Sequence, residues 1–232
     1  MNEQMLTWGF TWLSCESCIY YRSSDSRTNV DNFLLIVSNK TENERFKDQM
    51  RNIWTISDLG AVRFVVGIAV TWDRPNCTVM LSQTALIDKI VSRFSQRNAS
   101  LAPVPMDPGL KLRRANYKKL MREEIDQISK LPYRSLVGCL LYLSIGTRPD
   151  ITYSVQQLSQ FLDCYTYAHW NAALRVVRYL SGMHDFKLHL GGDNPISLLG
   201  FTDSDWANCL DTRRSIGGRA YTLGSGVISW QA

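Results

Sequence analysis

The sequence predicts an α+β fold, with strands and helices kept to separate stretches of the chain. Three observations point there. β-Branched runs and a strong turn signal occupy much of the first hundred residues, helical periodicity follows Pro132, and strand patterns return after Pro195. The 232 residues are 45% hydrophobic and 20% charged, a globular composition long enough for one or two cores.

The elements follow in order. Ile19 to Tyr21 is a short β-prone run, and Phe33 to Val37 is an apolar run of strand length. Thr41 is placed to N-cap a helix whose charged face carries Glu42, Glu44, Arg45, Lys47 and Asp48. Ala61 to Val70 reads as one strand. The turn signal Asp73-Arg74-Pro75-Asn76 joins it to a second strand, Cys77 to Leu81, as a hairpin. Ala85, Ile87, Ile90, Val91 and Phe94 recur at helical spacing.

Leu101 to Gly109 holds three prolines and a glycine and reads as a linker. Lys111, Arg113, Arg114, Lys118 and Lys119 follow, with Tyr117 among them. Such a run serves either as a phosphate-contacting surface or as a solvated charged face, and the sequence leaves both open. Of the three helices that follow, the first starts near Pro132. The second opens with Thr147-Arg148-Pro149-Asp150, where proline suits the first turn and the aspartate complements the helix dipole. The third spans about Ala168 to Ser181, with Gly182 as its C-cap. A turn over Gly191 to Pro195 leads into the terminal strands.

Several function classes lose support at once. Net charge is +5, compatible with nucleic acid without demanding it. Met1 to Trp12 lacks a basic start followed by an apolar run, so an intracellular setting, cytoplasmic or nuclear, is expected. The longest apolar stretch, near Leu136 to Ile145, falls short of the roughly 20 residues of a membrane span. Cys15 and Cys18 form a lone CxxC pair, while zinc needs four ligands and no second pair follows. Cys139 and Cys164 sit in apolar helical patterns and are assigned to the core.

Four stretches carry a family resemblance: SDLGAVRFVVGIAV, VMLSQTALIDKIVSRF, LPYRSLVGCLLYLSIGTRPDITYSVQQLSQF and the terminal TDSDWA. Together, from about Trp8 to Trp230, the chain resembles the second half of a copia-type retrotransposon reverse transcriptase and the start of its ribonuclease H. The resemblance implies four regions. Residues 1–100 would be the end of a palm, a primer-grip hairpin and the first thumb helix, and residues 101–130 a basic linker. Residues 131–195 would be a helical thumb and connection, and residues 196–232 a three-strand stub of a ribonuclease H fold. The parent activities it implies are RNA-directed DNA synthesis and ribonuclease H cleavage, both dependent on Mg²⁺.

The resemblance also assigns candidate residues. Reverse transcriptases carry YxDD on a palm hairpin, and the matching segment here is Asn29-Val30-Asp31-Asn32. Asp31 matches the first acid; Asn32 replaces the second and removes a negative charge from a site that must offset two cations. The preceding SSDSRTN is polar where the family has an apolar strand. In the terminal segment Asp203 matches the leading ribonuclease H acid, with Asp205 just past it. The remaining acids are expected beyond Ala232, and the upstream palm acid before Met1. Asp31 and Asp203 are thus the candidate catalytic and metal positions, read as remnants. Val66 and Gly67, in the segment resembling the primer grip, join Arg113, Arg114, Lys118 and Lys119 as candidate nucleic-acid contacts.

The expectation is a polyprotein fragment without either activity and without bound Mg²⁺. Two other readings stay open. One is a non-catalytic module binding an RNA/DNA hybrid through its grip and thumb surfaces; the other is a subunit completed in trans. No membrane association is expected, and the oligomeric state is not read from the sequence.

Overall fold

A computed structural model describes Leu34 and residues 40–192, 195–206 and 209–232. The segment resembling YxDD, including Asp31, lies outside the described residues, as do the strand expected at Phe33 to Val37 and the Cys15–Cys18 pair. The chain divides into two units at residues 61 and 62.

In the first unit a helix, α1, spans Lys40–Ile53. Phe46 and Met50, one turn apart, are buried against Trp54 and Ile56. Lys47 sits between Glu44 and Asp58 at 3.1 and 2.9 Å, and Arg51 reaches Asp48 at 2.8 Å.

The second unit is α+β, as the sequence predicts. Strands β1 (Phe64–Val65), β2 (Ile68–Asp73) and β3 (Thr78–Ser82) precede helices α2 (Thr84–Arg93) and α3 (Arg122–Ser129). Helices α4 (Tyr133–Gly146), α5 (Thr152–Ser159) and α6 (Tyr167–Gly182) follow. A short 3₁₀ turn, Pro149–Ile151, leads into α5. Strand β4 (Leu188–Gly191) then precedes β5 (Leu198–Ser204), β6 (Gly217–Leu223) and β7 (Gly226–Gln231). Both sheets are antiparallel, ordered β1-β2-β3-β4 and β5-β6-β7.

The core is helical. Ile87, Ile90, Val91 and Phe94 of α2 meet Tyr133, Leu136, Val137, Leu140 and Leu143 of α4. Val155 and Leu158 of α5 and Ala172, Ala173, Val176, Val177 and Leu180 of α6 complete it. Tyr133 is wholly buried, donates to the Leu158 carbonyl at 2.8 Å and stacks on Tyr165. Burial raises its phenol pKa well above the usual range. Cys164 is buried and Cys139 packs against the core, as assigned.

Four elements differ from the sequence reading. The single strand expected over Ala61 to Val70 is itself a hairpin, because Val66 and Gly67 take positive φ and turn the chain back. Gly182 lies inside α6, and Met183, at φ −118°, caps it in place of a left-handed glycine. The stretch read as linker and basic run contains α3. Leu188–Gly191, ahead of the expected terminal strands, pairs with β3, so the chain returns to the hairpin sheet after its helices.

Among the described residues, hydrogen bonds from three places tether the terminal segment to the rest of the unit. Trp230 Nε1 donates to the Ser144 carbonyl at 2.7 Å. That carbonyl lies in the last turn of α4, where helical carbonyls lack intrahelical donors. The Asp211 carboxylate accepts from the Arg114 amide at 2.9 Å. Ser225 Oγ, in the β6–β7 turn, donates to the Gly191 carbonyl. Strand β5 is nevertheless open, with all seven residues exposed and its outer edge unpaired among the described residues.

Candidate nucleic-acid interface

The hairpin tip comes first. Val65 pairs with Ile68, so Val66 and Gly67 are the only residues of the turn. Phe64 and Val66 project into solvent, 64% and 66% exposed. The Val66 carbonyl accepts a hydrogen bond from Tyr142 Oη on α4.

The predicted basic run lies along the α5–α6 connection, and its side chains are not equivalent. Arg114 pairs with Asp163 at 2.9 Å while its amide bonds Asp211. Cys164, then the Asp163 carboxylate and more weakly Asp211, raise the Arg114 pKa. Tyr117 is an anchor: its hydroxyl donates to the Tyr165 carbonyl at 2.8 Å. Lys111, Arg113 and Lys118 are exposed. Lys119 ends a 3₁₀ turn over Tyr117–Lys119.

A second basic feature escaped the sequence reading. Lys89, Arg93 and Arg97 line one shallow depression with Asp88 and Ser92. Lys89 and Arg93, one turn apart on α2, face away from its buried Ile87, Ile90 and Val91, and Arg97 is exposed in the turn that follows the helix. Arg93 donates to Ser135 Oγ at 2.9 Å and lies over the Phe94 ring. Among the described residues none of the three forms an ion pair.

Asp203 stands near the end of β5, opposite Gly218. Its Oδ1 accepts from the Ser204 amide at 2.9 Å. The depression around it is lined by Thr202, Ser204, Gly217, Gly218, Arg219 and Gln231, which supply no second carboxylate and one cation. Asp205 is committed to structure, accepting from the Ile216 amide at 2.7 Å. Among the described residues no three His, Cys, Asp or Glu side chains gather as metal ligands. This donor set does not fit a two-metal centre.

Comparison with known proteins places these features. The chain is 32% identical over 223 residues to a retrovirus-related Pol polyprotein from transposon TNT 1-94 of Nicotiana tabacum, covering 94% of this chain and 17% of that protein. It is 32% identical over 203 residues to the corresponding polyprotein from transposon RE1 of Arabidopsis thaliana, covering 88% of this chain and 13% of that one. An uncharacterized mitochondrial protein of Arabidopsis thaliana is 31% identical over 205 residues, which cover 88% of this chain and 80% of the relative. The chain belongs to the retrotransposon Pol polyprotein family.

It therefore corresponds to a segment of a Pol polyprotein, a small part of the two long relatives. No family model matches the chain, and no solved structure matches it. No helix among the described residues is long and apolar enough to cross a membrane.

One buried titratable group supports the surface without joining it. His169, at the third position of α6, accepts at Nδ1 from the Thr166 amide at 3.0 Å, closing a capping box. Its ring packs on Phe161, and Nε2 lies toward the Arg113 carbonyl without a hydrogen bond. Burial lowers its pKa, opposed by the Arg113 carbonyl and Asp211. The folded state favours neutral imidazole, so this contribution is complete above the unfolded pKa near 6.5 and is lost as pH falls below it. Melting temperature should thus drop between pH 7 and pH 5, and His169→Gln, which retains a cap acceptor without titrating, should flatten that drop. An unchanged slope in the variant would remove His169 from the account.

Proposed function

We propose that this chain is the second half of a copia-type reverse transcriptase with the start of its ribonuclease H, holding nucleic acid without catalysing synthesis or cleavage. On this reading β1–β3 correspond to the end of the palm and the primer grip, α2 and α4–α6 to the thumb and connection, and β5–β7 to the first ribonuclease H strands. The Mg²⁺ ions of the parent activities would have no complete site here. Asn32 takes the place of the second palm acid, and Asp203 lies beside Arg219 and no other carboxylate.

The observation that carries the binding reading is the Lys89–Arg93–Arg97 stripe. Lys89 and Arg93 lie on successive turns of α2 and Arg97 follows in the turn beyond its C-cap, so three exposed cations line one depression where a phosphate backbone could track, and such binding is salt-dependent and indifferent to sequence. Affinity for a fluorescent RNA/DNA hybrid should fall linearly with salt on logarithmic axes. Replacing the three cations with glutamine should reduce the slope by about one unit per lost phosphate contact. The same exchange at Arg113 and Lys118 measures the share of the basic run. A salt-independent affinity, or strong preference for one sequence, would refute this reading.

Primer extension on an RNA template with Mg²⁺ should stay at background, and Asn32→Asp alone should not restore it. Extension by the purified chain, abolished by Asp31→Ala, would overturn the non-catalytic reading. A second reading, completion in trans, draws on the open face of β5, where Leu198, Leu199 and Phe201 are exposed. Extension that appears only with a polypeptide carrying the other palm acids would favour it.

A further inference from the structure

The tip of the first hairpin holds a β-branched residue in the left-handed region. Val66 has φ +46° and Gly67 φ +74°. Positive φ at both central residues is the mark of a type I′ turn, the geometry that matches the twist of flanking strands. Glycine adopts it without a steric penalty, while the branched Cβ of valine crowds the backbone there. Such an outlier persists only where the surroundings over-determine it.

The Val66 side chain does not supply that constraint, since it points into solvent. The constraint reaches the backbone from α4. Tyr142 Oη donates to the Val66 carbonyl across 76 positions of sequence. A Cβ on residue 67 would lie 3.4 Å from the same oxygen, so the phenol rests against both turn residues. The Tyr142 ring is itself half exposed, and the α4 core is built from Leu136, Val137, Leu140 and Leu143 on the other side. Its placement serves the hairpin more than the core.

We propose that Tyr142 is a positioning residue for the hairpin tip. It holds Val66 and Gly67 in the left-handed turn and thereby presents Phe64 and Val66 to the primer strand of a bound hybrid. The part concerning the primer strand rests on the nucleic-acid reading above. The part concerning the turn does not.

The test uses the full chain and the variant Tyr142→Phe, which keeps the ring and removes the donor. In the free protein the φ-sensitive amide–Hα coupling of Val66 should move toward its extended value. Amide exchange across Val65 to Ile68 should quicken about five- to tenfold, the effect of one lost hydrogen bond on a local opening. Photocrosslinking to an RNA/DNA hybrid with reactive nucleotides in the primer strand should lose yield at Phe64 by a similar factor, while the salt slope set by Lys89, Arg93 and Arg97 stays unchanged.

Rescue separates positioning from general damage. Asparagine tolerates the left-handed region, so Val66→Asn added to Tyr142→Phe should restore slow exchange and crosslinking. Unchanged Val66 coupling in Tyr142→Phe, or failure of Val66→Asn to restore the turn, would overturn the positioning role. If coupling, exchange and rescue behave as stated but the wild-type tip never crosslinks, the nucleic-acid reading of the tip falls and the role of Tyr142 in the turn stands.

Discussion

Arg148→Ala is expected to destabilise the helical unit by about 3 kcal/mol, the cost of emptying a buried guanidinium site and leaving a carbonyl at the end of α6 without its donor. Arg148 is 1% exposed, the most deeply placed Lys or Arg among the described residues. Its Nε donates to Asp150 Oδ1 at 2.9 Å and its Nη2 to Oδ2 at 2.6 Å, a fork that matches the carboxylate. Nη1 donates to the Met183 carbonyl at 3.0 Å, satisfying a carbonyl at the end of α6. The guanidinium lies 5.8 Å from the Tyr179 ring centroid and 5.7 Å from that of Phe186. Tyr179 Oη donates to Asp150 Oδ2 at 2.9 Å, closing the network.

Alanine at 148 leaves Asp150 and the Met183 carbonyl without their donor and opens a void between two rings. Arg148→Lys keeps the charge but loses the fork and should fall between wild type and alanine. Replacing both partners, Arg148→Met with Asp150→Leu, should recover part of the loss, since methionine refills the buried space while Asp150 is solvent-exposed. Urea unfolding followed by circular dichroism reads all four proteins. A loss below about 1 kcal/mol for Arg148→Ala would place this residue among ordinary surface cations.

Arg148 also shows what the sequence conveyed and what it hid. Thr147-Arg148-Pro149-Asp150 announced a helix start, and a 3₁₀ turn and α5 do begin there. The expected helix-dipole role of Asp150 was the smaller part of its work. Nothing local to the motif shows that a guanidinium is buried, because its partners Tyr179 and Met183 come from the far end of α6. The α4 and α6 cores were legible because apolar residues recur at helical spacing over fourteen and sixteen residues.

The hairpin tip was hidden for a different reason. Val65 and Val66 extend a β-branched run, and such residues favour extended backbone, so Ala61 to Val70 reads as one strand. Tertiary contact with Tyr142 overrides that preference at Val66. Strand β4 was missed because its partner, β3, lies more than a hundred residues earlier, and a four-residue strand carries little periodicity. As for the candidate residues, spacing found the basic run. It did not reveal that Arg114 and Tyr117 are spent on Asp163 and the Tyr165 carbonyl.

Gly191→Ala is expected to cost about 2–4 kcal/mol, from left-handed strain together with steric overlap. Gly191 ends β4 with φ +93°, a conformation closed to alanine without strain. A Cβ there would intrude on the Cys77 carbonyl oxygen and lie 3.3 Å from the Thr78 Cα. Both obstacles are backbone, so no rotamer change relieves them. Gly191 pairs with Thr78, and its carbonyl receives Ser225 Oγ from the β6–β7 turn. Three segments distant in sequence therefore meet at this residue: the start of β3, the end of β4 and the tip of the terminal hairpin. Alanine must push β4 off β3 or the β6–β7 turn off β4. Amide exchange should quicken across Leu188 to Gly191 and across Thr78 to Leu81, while the α4–α6 core keeps its protection. Gly109→Ala is the reference, since a Cβ there meets nothing within 4 Å, and it should change stability by no more than about 0.5 kcal/mol. If Gly191→Ala proved no more costly than Gly109→Ala, β4 would not be the stitch between the hairpin sheet and the terminal sheet.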